Sequence, residues 1–194
     1  MKTLKFVVII LSVAMMACNN RPKTDSSKDT DKNAMLVENA KVEGQDNEQG
    51  DQGFLNEAAS GGMMEVELGR YAQENAVNTR VKNFGAMMVR DHSKANEELK
   101  SLASSKSLTL PSSMDEKHMN KVNELKGKTG ADFDKEYMKE MVDDHEKDVD
   151  EFRKQSENAK DADIKAFAAK TLPILQTHQD SAKAIRDALD KNNK

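Results

Sequence analysis

From residue 54 to residue 190 the apolar residues recur every three or four positions, which is the spacing of one face of an α-helix and of no strand. Nothing in that stretch competes with the pattern. Aromatic and β-branched residues are sparse, the whole chain holds three prolines, and no Asn-Gly or Asp-Gly hairpin signal occurs. The spacing predicts four long helices. The first runs over about 54–76, with Leu55, Ala58, Gly62, Gly69, Ala72 and Ala76 on its stripe, small residues that let a neighbour approach closely. The second runs over about 79–106 through Val81, Phe84, Met88, Ala95 and Leu99. The third, about 131–158, carries Met138, Val142, Val149 and Phe152. The fourth, about 161–190, carries Ile164, Ala168, Leu175, Ala182 and Ile185, and Pro173 inside it predicts a kink or a break. Between the pairs, the Ser113–Glu116 capping-box spacing predicts a short helix over 114–126 that ends at Gly127 and Gly130.

Two short connections and one long one describe an all-α fold of two helical hairpins joined by a crossover containing a short helix, the ferritin-like four-helix bundle. An up-and-down bundle with the short helix outside is the competing topology. An internal repeat favours two hairpins: residues 88–94 read MVRDHSK and residues 141–147 read MVDDHEK.

The start of the chain is of a different kind. Lys2 and Lys5 precede an uncharged, mostly apolar run from Phe6 to Met16, and Ala17 then precedes Cys18, the only cysteine. Eleven residues fall well short of the roughly 20 that a spanning helix needs. The pattern is that of a cleavable lipoprotein signal over 1–17, with Met15 where Leu is commonest and Cys18 as the lipidated residue. Residues 18–52 hold almost no apolar side chains and read as a disordered tether, which leaves 53–194 as the folded domain. With a single thiol the domain forms no internal disulfide, so packing alone must stabilise it. The expected location is the bacterial cell envelope, lipid-anchored, at the outer membrane facing the periplasm. A net charge of −4 and 4% aromatics exclude a nucleic-acid surface.

Chemistry concentrates in the histidines. His92, His145 and His178 each interrupt an apolar stripe, and Glu65 takes the corresponding place on the first helix. Glu65 and His92 stand at nearly equal distances from the turn at Asn78, and His145 and His178 differ in height by only about 4 to 5 Å. The four therefore form one polar layer inside the bundle, and such a layer must be satisfied from within. It is completed either by mutual hydrogen bonds and water or by a transition metal, Zn, Cu or Fe, bound to Glu65, His92, His145 and His178. Met88 and Met141 share the face of their histidines and would favour Cu(I), although methionine at this spacing is also ordinary core filler. Asp91 and Asp144 read as surface partners of Lys94 and Lys147, or as supports for a histidine on another helix. His118, among charged residues, reads as exposed. A ferritin-type di-iron pattern is absent, because Val89, Val142 and Leu175 stand where Glu-x-x-His needs its carboxylate. There is no nucleophile elbow and no phosphate loop.

The blocks FLNEAASGGMMEVELGRYAQENA, VKNFGAMMVRDHSKANEELKSLA, FDKEYMKEMVDDHEKDVDEF and FAAKTLPILQTHQDSA occur in that order over roughly 53–188. In these the chain resembles the bacterial domain-of-unknown-function family 4142. The resemblance implies a ferritin-like bundle in an exported envelope protein and no established activity, so it supplies no catalytic residue. Two functions stay open. One is a non-enzymatic module that binds an envelope protein or small ligand, requires no cofactor and offers an apolar groove near Pro173. The alternative is the metal-binding bundle.

Overall fold

A computed structural model describes residues 43–191, with side chains from Gly50 onward. The signal segment, Cys18 and most of the expected tether lie outside the described residues. Five helices make up the fold: α1 (Glu43–Asn75), α2 (Thr79–Ser105), α3 (Glu116–Lys126), α4 (Gly130–Asn158) and α5 (Ala162–Lys191). Among the described residues there is no strand, and no helix is long and apolar enough to cross a membrane.

α1 packs along α2 and α4 along α5, while α2 also meets α5 and α1 meets α4. Contacts at the two ends fix the directions. At one end, Gln52 Nε2 donates to the Thr109 carbonyl at 3.0 Å, and Lys106 binds Asp161 and Asp163 at 2.6 and 2.8 Å. At the other, buried Asp134 at the start of α4 accepts from the backbone N–H groups of Val77 and Asn78, at 3.1 and 2.7 Å, in the α1–α2 turn. Between these ends α3 climbs beside α1, with Lys117 on Glu57, Lys126 on Glu67, and Tyr71 donating to the Lys126 carbonyl. α2 and α4 therefore run the same way, and α3 is the stretch that carries the chain back.

Four local expectations are corrected. α1 begins at Glu43, inside the stretch read as tether, because a polar sequence rich in Glu and Gln extends a helix that is already nucleated. Asp51 and Gln52 also tie this early part to Asp161 and Thr109. Pro173 does not break α5, which is helical on both sides of it. α3 is capped by Asp115, whose side chain accepts from the His118 N–H, and not by Ser113. An apolar groove of 540 Å³ lies between the end of α2 and the 108–112 loop, lined by Leu99, Leu108, Leu110 and Pro111, so Pro173 does not border it.

The hairpin α1–α2 closes on two glycines. A Cβ on Gly69 would stand 2.7 Å from the Gly85 carbonyl oxygen, and a Cβ on Gly85 would stand 2.6 Å from the Gly69 oxygen. Both contacts are with backbone, which has no rotamer to escape into. The core falls into two apolar clusters, and the glycine contact lies within the first, beside Ala72 and Met88. One holds Met64, Leu68, Phe84, Met88, Phe133, Tyr137, Met138, Met141 and Ile185, and the other holds Leu55, Leu99, Phe152, Ile164, Phe167 and Leu175. On α2, α4 and α5 the residue in the gap between clusters is His92, His145 or His178, and on α1 Glu65 sits at the edge of that gap.

Gly85→Ala would raise helix propensity by about 1 kcal/mol in isolation. Here the forced separation of α1 and α2 is expected to win, with a net loss on the order of 1–3 kcal/mol. Urea unfolding checks it; an unchanged or higher midpoint would show that the helices can part without cost.

Candidate metal centre

Glu65, His92, His145 and His178 come from four different helices and are all buried, with His145 at 0% and Glu65 and His178 at 1% exposure. The helical stripes place them so. Each stands three or four residues from apolar neighbours on its own helix, so burying the stripe buries the polar residue with it.

The three imidazoles form a nearly equilateral triangle. Ring centroids are 5.6 Å apart for His92–His145, 5.2 Å for His92–His178 and 5.3 Å for His145–His178. One nitrogen from each ring falls within 4.8 Å of the others. Glu65 closes the layer, its Oε2 2.6 Å from His92 Nδ1 and its Oε1 3.3 Å from His145 Nε2.

The outer partners of the rings determine where their protons sit. His145 Nδ1 lies 2.9 Å from the Met141 carbonyl oxygen, which only accepts, so that nitrogen carries the hydrogen. His178 Nε2 lies 3.0 Å from Asp91 Oδ2. Hydrogen bonds from Arg90 hold the Asp91 carboxyl below its usual range, so this contact too takes the hydrogen from the ring. The neutral rings are thus left with lone pairs on His145 Nε2 and His178 Nδ1, and these two atoms face each other at 3.3 Å. Two lone pairs at that distance repel unless an electrophile lies between or beside them.

A proton is a poor candidate for that electrophile. Burial pushes His92 and His178 down to about 4, and it lowers His145 well below the ordinary value, with the neighbouring imidazoles adding to the effect. Burial also raises Glu65 well above the usual carboxyl range, with Asp144 contributing. The Glu65–His92 contact therefore behaves as one unit that avoids charge. Even so, His92 Nε2 and Glu65 Oε1 are buried without a hydrogen-bond partner, since the 3.3 Å approach of Glu65 Oε1 to His145 lacks hydrogen-bonding geometry. Each such atom costs about 1–3 kcal/mol if nothing completes it. A cavity of 20 Å³ bordered by Glu65, His92 and Asp148 offers room for one water or ion.

All four residues expected in the interior layer are brought together. Asp91 supports His178 and also pairs with Arg90 at 2.7 Å, and neither Asp91–Lys94 nor Asp144–Lys147 forms an ion pair among the described residues. Asp144 instead joins Glu65 and Asp148 in a group of carboxylates within 4.8 Å. Met88 and Met141 are fully buried in the apolar cluster next to the layer. His118 is 3% exposed, against expectation, because α3 lies flat on α1. Its Nδ1 is 2.9 Å from both Ser60 Oγ and Asp115 Oδ1. Glu57 Oε1 stands 3.7 Å from the opposite nitrogen, Nε2, and the Asp115 carboxylate caps α3 through the His118 N–H. Asp148 and Tyr137 were missed by sequence reading. Asp148 follows His145 by one helical turn, a signal lost among many surface acids. The Tyr137 hydroxyl is buried without a partner, and both burial and Glu65 push its pKa up.

Residues 37–185 match the family described as a domain of unknown function, DUF4142. The chain belongs to that family. No curated protein and no solved structure matches it. The DUF4142 domain reaches upstream of residue 53, in keeping with the early start of α1.

In the metal-free DUF4142 domain, His92 and His178 are expected to titrate near pH 4, staying neutral where an exposed histidine with its pKa near 6.5 is half protonated. Ring-proton NMR across the acid range measures this directly. A midpoint near 6.5 for either ring would mean that water reaches the layer.

Proposed function

We propose that this DUF4142 domain is a metal-binding module of the bacterial cell envelope, holding one transition-metal ion through His92, His145 and His178, with Glu65 as the fourth donor. The observation that carries the reading is the pair of lone pairs facing at 3.3 Å inside an equidistant imidazole triangle. Three imidazoles bound tetrahedrally at about 2.1 Å hold their centroids about 5 Å apart. The outer hydrogen bonds supply the rest of the logic, since histidine ligands commonly donate their other N–H to a carbonyl or carboxylate. Met141 and Asp91 take those roles here. Imidazole with one carboxylate suits Zn, Cu(II) or Fe.

The ferritin-like bundle and the anchor belong to the same proposal. The reversed direction of α3 supports a crossover between two antiparallel hairpins, which is the ferritin-like connectivity. Cys18 behind its short apolar run supports lipidation, which would hold the domain at the membrane, and outer-membrane placement facing the periplasm follows as the working location. A metal-free interaction module that requires no cofactor remains the second reading, and the 540 Å³ groove beside Leu108 and Leu110 favours it. Its partner would be an envelope protein or a small ligand. Neither reading makes the protein an enzyme.

Full chain purified without an affinity tag is expected to retain stoichiometric metal after equilibration with Zn²⁺, Co²⁺ or Cu²⁺ and to gain about 2.7 kcal/mol of stability at a hundredfold excess over Kd. His145→Ala and His178→Ala should each abolish retention, while Asp91→Asn should weaken it roughly 10- to 100-fold. Elemental analysis reads the occupancy, and no stoichiometric metal under any of these conditions would sink the proposal and leave the interaction module.

The anchor is checked separately. Cells expressing the chain should incorporate labelled fatty acid into it, and Cys18→Ala should remove the label. Persistent labelling of that variant would place the acyl chain elsewhere.

A further inference from the structure

The repeated Met-Val-x-Asp-His-x-Lys segments relate α2 to α4, and those two helices run in the same direction. α2 packs against α5 and α4 packs against α1, so an approximate twofold axis along the bundle relates α2 to α4 and α5 to α1. Under that relation His92 answers His145, Asp91 answers Asp144, and His178 answers Glu65.

The symmetry fails at one point. Asp91 meets His178, which donates a hydrogen to it at 3.0 Å. Asp144 meets Glu65, a second acceptor, in the place where its counterpart finds a donor. Asp148 then adds a third carboxylate where the α2 repeat has Ala95. One oxygen from each of Glu65, Asp144 and Asp148 lies within 4.8 Å of the others, and among the described residues Asp144 and Asp148 make no hydrogen bond or ion pair. Lys117 and Lys147 act on this group only through space, for Lys117 binds Glu57 at 2.8 Å and Lys147 is exposed. Glu65 is 1% exposed, and its Oε1 is unpartnered. The 20 Å³ cavity bordered by Glu65 and Asp148 lies beside this group.

We propose that Glu65, Asp144 and Asp148 form a second divalent-cation site, with the Glu65 carboxylate bridging it to the ion held by His92, His145 and His178. The inference rests on the histidine-site reading, because the Glu65 carboxylate serves both sites: its Oε2 is 2.6 Å from His92 Nδ1 and its Oε1 3.3 Å from His145 Nε2. Oxygen donors of this number suit a hard or borderline divalent ion with water completing its shell. A bridging carboxylate places two ions about 3.5–4 Å apart, the separation at which both can act on one small ligand. The arrangement is asymmetric, with nitrogen donors on one ion and oxygen donors on the other. It also differs from the Glu-x-x-His pairs of di-iron bundles, because its carboxylates come from one residue of α1 and two of α4.

Cobalt(II) probes both sites, since it accepts nitrogen and oxygen donors alike. Equilibrium dialysis of the full chain against Co²⁺ is expected to give two ions per chain, with an EPR signal weaker than that of two isolated ions because they couple through Glu65. Asp144→Asn combined with Asp148→Asn removes the second set of donors while keeping their size. That variant should bind one ion and keep the visible absorption of a histidine-ligated cobalt. One ion in both proteins, with that absorption, overturns the second site and leaves the histidine site standing. No ion in either overturns both. Two ions in the double variant place the second ion elsewhere and overturn the inference. Should the variant not fold by circular dichroism, the wild-type chain decides alone, because two ions with additive, uncoupled signals also overturn it.

Discussion

A polar layer inside a helical bundle constrains everything around it. Glu65, His92, His145 and His178 sit at or beside the gap between two apolar clusters, so the protein has two small cores separated by one ionisable floor. Removing such groups from water is unfavourable unless they satisfy one another. The bundle meets part of that demand from its own backbone and from Asp91, and leaves the inward-facing nitrogens to each other. Both clusters must pack to native density for the layer to stay dry and fixed in height. The glycine contact between α1 and α2, and Asp134 clasping the α1–α2 turn, are best understood as the devices that set that height.

Duplicated sequence gives the layer its frame, and departure from the duplication gives it its chemistry. If both halves were alike, each Asp-His pair would face a donor on the neighbouring helix and the interior would be a closed set of hydrogen bonds. Replacing one histidine by Glu65 breaks that closure. It brings three carboxylates together on the α1–α4 side and leaves three imidazoles facing each other toward α5. Burial raises Glu65, Asp144 and Asp148 and lowers the histidines, so both halves of the layer resist their charged forms. With its acids shifted up and its bases shifted down, the layer as a whole favours its neutral forms.

Much of this was legible in the sequence, for a definite reason. Helix period and turn position together give a side chain both its face and its height, and both were readable for Glu65, His92, His145 and His178. The same reasoning failed where neither quantity decides. His118 is buried by α3 lying against α1, and the polar residues around it give no hint of that contact. Asp148 shares a face with His145, but a helix so rich in acids hides which of them turns inward. Of the kink or break expected at Pro173, the break does not occur: α5 runs through it, with Thr171 and Leu175 buried on either side. The start of α1 was set too late because composition reports what a segment can bury, not whether an existing helix propagates through it.

The tension in the layer also bears on how the fold forms. Apolar contacts within α1–α2 and within α4–α5 are local, so each hairpin can assemble before the layer is complete. Closing one hairpin on the other is the step that strips water from all four polar residues at once, because two come from each hairpin. That step gains two apolar clusters and incurs the desolvation of an acid and three bases. An ion that enters during closure offsets the second term without altering the first, so it acts on the docking of the hairpins and not on the helices themselves. Metal would then be felt as a change in how tightly the two halves hold together, with helix content almost the same in either state.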